Sequence, residues 1–231
     1  MTVKTKKHRI KKVFTYLFLF ILLVVGLCLT FNSQIESFWL GMRSEQKVNS
    51  LTKSEIKKGK AKSGNYNYKA VSTVSAKSIM ESEKASHENA IGKIKYPAVG
   101  IDLPIYKGLN SETLFLGAGT MKPNQKMGQG NYALASHHMD DPKRLFSPLT
   151  KAKKGQLIEI SDLSKTYKYK VTSVKNVNEK DVGVVNDVPG KKQVTLITCT
   201  KPIPGITERI VVTGELIKWC IINIWFKKDN F

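Results

Sequence analysis

Val194-Thr195-Leu196-Ile197-Thr198-Cys199 forms one β-like run, and Arg209-Ile210-Val211-Val212-Thr213 opens the next after a connection at 200–208. A strand turns alternate side chains to opposite faces. Thr195, Ile197 and Cys199 therefore share one face, and Val194, Leu196 and Thr198 the other. Folding the two runs antiparallel with Cys199 opposite Arg209 sets Ile197 against Val211 and Thr195 against Thr213. On the other face Leu196 then meets Val212, a sensible core pair. This register predicts a thiol beside a guanidinium, with Cβ atoms about 4.5–5.5 Å apart.

An imidazole comes from further upstream, in Tyr132-Ala133-Leu134-Ala135-Ser136-His137-His138. The same alternation places His137 with Ala133 and Ala135, and His138 with Tyr132 and Leu134. Small neighbours leave room beside His137 for a substrate or a second side chain, so His137 is preferred over His138. Taken singly, each group has a plain structural explanation. A lone cysteine is usually a small buried hydrophobe, and a histidine or arginine at a strand end is usually solvated. Together on one chain they point to thiol chemistry.

Further short β-like runs surround these, at 91–96, 103–107, 156–160 and 166–177, punctuated by Gly, Pro, Asn and Asp. With 132–137, 194–199 and 209–216 they make seven candidate strands. Helical candidates are brief, at 111–116 and 143–149. Many short strands without long helical patterns predict an all-β closed barrel or sandwich.

The amino-terminal region has a different character. Val13 to Phe31 carries no charge, and about 20 apolar residues span a bilayer. Lys4, Lys6, Lys7, Arg9, Lys11 and Lys12 precede it, which predicts a cytoplasmic amino terminus and an extracytoplasmic remainder. The run is too long for a signal-peptide core and ends without a small-residue cleavage site. An uncleaved anchor is expected. The domain plan is a basic segment at 1–12, the anchor at 13–31, a polar tether at 32–88, a folded domain at 89–216 and an apolar tail at 217–231. Within the tether, 53–64 is lysine-rich and expected to stay unstructured, and a short helix is expected near 76–87.

Among 231 residues, 38 are Lys or Arg and 18 Asp or Glu, a formal net charge of +20. That balance attracts polyanions. No zinc spacing, RNP-like aromatic motif or base-reading basic helix is present, so no nucleic-acid partner is expected. The three cysteines offer no plausible pair. Cys28 lies inside the apolar span and Cys220 in the tail, which leaves Cys199 free in the folded domain.

These features resemble the sortase family of Gram-positive bacteria, and class A most closely. The resemblance runs from about 91 to 216. Its landmarks are Ile91-Gly92-Lys93-Ile94, Leu103-Pro104-Ile105-Tyr106-Lys107-Gly108, Leu116-Gly117-Ala118-Gly119-Thr120-Met121, Gly130 to Met139, Leu145-Phe146-Ser147-Pro148-Leu149, Thr195 to Cys199, and Glu208-Arg209. It implies a closed eight-stranded barrel with short helices. It also implies cleavage of an LPxTG-type sorting signal between Thr and Gly, and transfer of the Thr carboxyl to an amine of a lipid-linked cell-wall precursor. Cys199 aligns with the nucleophile, His137 with the catalytic histidine and Arg209 with the catalytic arginine. The extended substrate is expected in a groove floored by the Cys199 strand and lined by Ala135, Ser136, Ile197, Thr198 and Val211. No cofactor is implied.

The chain departs from the family pattern at 121–130. Some class A members carry a carboxylate-rich calcium loop there. This stretch holds Lys122 and Lys126 and no acid, and calcium needs oxygen ligands, so no metal is expected. The tail after Leu216 is also atypical. Three other readings remain open at this point: a pilus-type sortase using a pilin lysine, a hydrolytic cysteine peptidase, and a non-catalytic barrel binding wall polymers.

Overall fold

The computed structural model describes residues 3–30, 42, 44–67 and 90–217. The helix expected near 76–87 and the tail from 218 onward lie outside the described residues. Eight strands form the folded domain: β1 Gly92–Tyr96, β2 Ile101–Tyr106, β3 Ala118–Thr120, β4 Asn131–Ala135, β5 Leu157–Ser161, β6 Thr166–Asn178, β7 Gln193–Cys199 and β8 Glu208–Leu216. They close into a barrel in the order β1-β2-β3-β4-β7-β8-β6-β5. Closure removes the unpaired edges that an open sheet would expose.

Period-two alternation explains which side chains fill the barrel. Tyr132 and Leu134 of β4, Val194 and Leu196 of β7, and Val212 of β8 join the main core with Ile94, Ile105 and Ile158. The β7–β8 register is the one expected: Leu196 faces Val212, Ile197 faces Val211 and Cys199 faces Arg209. The partner on the other side of β7 is β4, which runs parallel to it with Ala133 level with Thr195 and Ala135 with Ile197.

Several boundaries differ from the sequence expectation. β3 has no periodic signal in the sequence, because three residues centred on Gly119 give no alternation to read. A side chain at Gly119 would run into the Gly108 carbonyl and Leu114, so the strand needs its glycine. β4 ends at Ala135, two residues before the expected end. The expected helix at 111–116 shortens to Ser111–Leu114. In place of one at 143–149 there is a 3-10 turn over Ser147–Lys151.

Among the described residues, helical structure before the barrel includes Val3–Thr30, the stretch 44–50 and Lys53–Ala61. Helix α1, Val3–Thr30, contains the apolar stretch as far as Thr30, and its Lys12–Thr30 portion is long and apolar enough to cross a membrane. Helix α2, Lys53–Ala61, replaces the unstructured segment expected there. Thr52 caps it by accepting the Glu55 N–H at 3.2 Å, Ile56 is buried, and Lys60 pairs with Asp162 at 2.7 Å. The Lys107 ammonium also donates to the Lys60 carbonyl at 2.9 Å. One buried isoleucine leaves no helical period in the sequence, and these distant partners supply the rest.

Candidate active site

The outer face of β4, β7 and β8 presents what alternation directs away from the barrel interior. Ala133, Ile197 and Val211 pack there with Leu109, Leu114, Met121 and Val185 in a second apolar cluster. Above it opens a groove of about 1090 Å³. Ala135, Ser136, His137, Ile197, Thr198, Cys199, Arg209 and Val211 all line it, so the eight residues expected at the site meet on one surface. The connection between β6 and β7, with its 3-10 turn Val182–Val185, forms a wall.

Cys199 ends β7 with a free, partly exposed thiol. Arg209 lies opposite it. The guanidinium is already engaged: Nη1 donates to the carbonyls of Ile206 (2.5 Å) and Glu208 (3.1 Å), and Nη2 donates to Glu179 Oε2 at 2.6 Å.

His137 stands two residues beyond β4. Its ring stacks on Phe115, with centroids 4.5 Å apart and planes at 27°. Nε2 is buried and finds no hydrogen-bond partner among the described residues. Burial disfavours the charged ring and pushes its pKa down from 6.5 to about 4. The resting imidazole is therefore neutral at pH 7 and able to accept a proton. His138 has a different role: its Nδ1–H donates to the Cys199 carbonyl at 2.7 Å, and it does not line the groove.

Ser136 and Thr198 line the groove with their hydroxyls committed elsewhere. Ser136 Oγ donates to the Gly117 carbonyl at 2.7 Å, and Thr198 Oγ1 donates to the Ser136 carbonyl at 2.9 Å. Their geometry shapes the floor and braces the β4 and β7 ends against each other. Ala135, Ile197 and Val211 leave it apolar.

The wall is anchored by Asn131 at the start of β4. Its side-chain amide donates to the carbonyls of Val184 and Asn186, both at 3.1 Å, and its carbonyl oxygen accepts from Thr195 Oγ1 at 2.8 Å. Asp187 accepts the Asn131 N–H at 2.8 Å and pairs with Lys122 at 2.5 Å. The Lys122 ammonium, and then the Asn131 N–H, hold the Asp187 carboxyl below its ordinary pKa. A lysine thus links the 121–130 stretch to the β6–β7 connection. Among the described residues no group of three His, Cys, Asp or Glu side chains is placed to hold a metal ion.

Glu179, Asp187 and Phe115 carry no local sequence signal for these positions. Glu179 and Asp187 come from the β6–β7 connection and Phe115 from the segment between β2 and β3. Only the barrel's closure brings them there.

Comparison with known proteins agrees with this architecture. A sortase domain profile matches residues 94–217. Sortase A of Streptococcus agalactiae is 42% identical over 222 residues, covering 93% of this chain and 89% of that protein. Sortase A of Listeria monocytogenes is 37% identical over 200 residues, covering 86% and 89%. The crystal structure of Listeria monocytogenes sortase A superposes with a TM-score of 0.54 at 44% identity, covering 56% of this chain and 88% of that one. A thiol at the end of β7, a guanidinium facing it and a closed eight-stranded barrel accompany likeness along most of these relatives' length, and the chain belongs to the sortase family of cysteine transpeptidases.

Proposed function

We propose that Cys199, His137 and Arg209 carry out a class A sortase reaction on LPxTG-bearing surface proteins at the outer face of the cell membrane. The observation that supports it is their convergence in one groove, with Cys199 and Arg209 in cross-strand register. The neutral His137 takes the Cys199 proton, and the thiolate attacks the threonine carbonyl carbon of the sorting signal. The tetrahedral oxyanion is stabilised by the Arg209 guanidinium. Collapse breaks the Thr–Gly bond. The His137 imidazolium protonates the departing glycine amine, leaving a thioester on Cys199. An amine of a lipid-linked wall precursor then attacks the thioester carbonyl, gives its proton to His137 and releases the Cys199 thiolate. Protein and precursor are joined by the new amide.

The extended sorting signal lies against Ile197 and Val211, with Ala135, Ser136 and Thr198 at the end of the floor. Helix α1 tethers the enzyme, and the six basic residues before the span favour a cytoplasmic amino terminus. The division into a basic segment, anchor, tether, barrel and tail belongs to this reading. A pilus-type assignment is not favoured, given sortase A relatives matched along most of their length. Mass spectrometry of the product formed from an LPxTG peptide and candidate wall-precursor amines tests the reaction. An amide-linked product is expected. Hydrolysis alone would identify a peptidase, and no cleavage would leave a binding module.

A further inference from the structure

The Arg209 guanidinium is held on two sides before any substrate arrives. Two backbone carbonyls take Nη1, and Glu179 takes Nη2. A guanidinium has five N–H donors; these contacts use three and leave Nε–H and one Nη2–H for other acceptors. Glu179 is itself fixed in place. Its N–H donates to the Thr207 carbonyl at 2.7 Å, extending the β6–β8 ladder by one step beyond Asn178↔Glu208. Val177 faces Arg209 in that ladder. Glu179, two residues on, points to the same face and lies diagonal to Arg209. Glu179, Arg209 and Cys199 all line the groove.

A partly exposed pair of this kind adds about 0–1 kcal/mol to stability, so it is poorly explained as a brace for the barrel. It orders a long side chain that otherwise samples many rotamers. Ordering the group before the charge develops is what makes an oxyanion donor effective.

We propose that Glu179 is a positioning residue for Arg209, holding the guanidinium so that its free N–H groups face the reacting carbonyl. The inference rests on the transpeptidase reading above. Glu179 touches no reacting atom. It acts through Arg209 alone.

The experiment uses the full-length chain in detergent, with an LPxTG peptide and an amine acceptor. Glu179→Ala is expected to lower turnover on the order of 10-fold, the effect of losing one charge-assisted hydrogen bond, with kcat falling more than KM rises. Glu179→Gln keeps an acceptor oxygen and should stay within about 3-fold of the parent. In an Arg209→Ala background, Glu179→Ala should have no further effect. The chain has four arginines, so the Arg209 Nη2–H resonance can be assigned by its loss in Arg209→Lys. That signal should be sharp in the parent and in Glu179→Gln, and shifted toward the free-arginine position in Glu179→Ala. Parental turnover in Glu179→Ala, an equal loss in the Arg209→Ala background, or an unmoved Nη2–H signal would each overturn the proposal. If the parent does not turn the peptide over, the transpeptidase reading fails, while the resonance still decides whether Glu179 holds Arg209.

Discussion

Cys199 and Arg209 are cross-strand partners at the last register position of β7 and β8. That pairing predicts distinct outcomes for the two residues. Cys199→Ala should form no thioacyl enzyme with an LPxTG peptide, because the attacking atom is gone. Arg209→Ala should still form it, with kcat reduced about 10²–10³-fold, the range for removal of an oxyanion donor. Arg209→Lys should fall between, since an ammonium keeps the charge and loses the planar fork. Intact-protein mass spectrometry and steady-state rates check all three. Full activity in Cys199→Ala would sink the site assignment.

The two adjacent histidines should separate sharply. His137→Ala removes the proposed acid–base group and should lower turnover about 10²–10⁴-fold. His138→Ala removes one hydrogen bond to the Cys199 carbonyl, costing about 1 kcal/mol of stability and less than about 10-fold in rate. Kinetics with parallel urea unfolding distinguish these. The opposite ranking would move proton transfer to His138.

Acid should destabilise the fold in part through His137. Its folded pKa, about 4, lies below the ordinary 6.5. Between those values the unfolded chain binds more protons than the folded one, so stability rises with pH across that window. The contribution is complete above about 6.5 and is lost as pH falls through about 4. His137→Phe should flatten this part of the stability–pH curve. Denaturant midpoints measured from pH 4 to pH 7 on both proteins test it, and parallel curves would show that His137 does not titrate this way.

The strand hairpin was readable because its alternation is local and a short connection brings its two runs together. Once Cys199 is set opposite Arg209, the inward pair of Leu196 and Val212 follows from counting. The parallel partnership of β4 with β7 was not readable. It joins Ala133 to Thr195 with β5 and β6 between them along the chain, and nothing near either strand announces the other. Seven strands were visible and β3 was not, because Ala118–Thr120 is too short to show a period. Helix α2 was hidden by its lysines and its single buried Ile56. Glu179 reads as an ordinary exposed acid until β8 is laid beside β6.

Calcium should be dispensable. The position nearest the β6–β7 wall is taken by the Lys122 ammonium on Asp187, which already tethers the loop. Adding calcium or a chelator should leave turnover unchanged within error. Lys122→Ala should raise KM for the peptide a few-fold by loosening the wall, with kcat largely kept. Strong calcium stimulation of the parent would overturn this expectation.

The parallel pairing of β4 and β7 has a consequence for how such a chain can diversify. His137 lies six positions past Asn131, and Cys199 six past Gln193, while Asn131 and Gln193 are themselves level. The heights of His137 and Cys199 on the barrel are therefore set by two equal residue counts. An insertion inside either count would rotate one group to the wrong face, as every one-residue slip in a strand does. Insertions in the loops after them leave the counts untouched. Loops that do not hold Arg209 can thus change length while His137 and Cys199 keep their relative height.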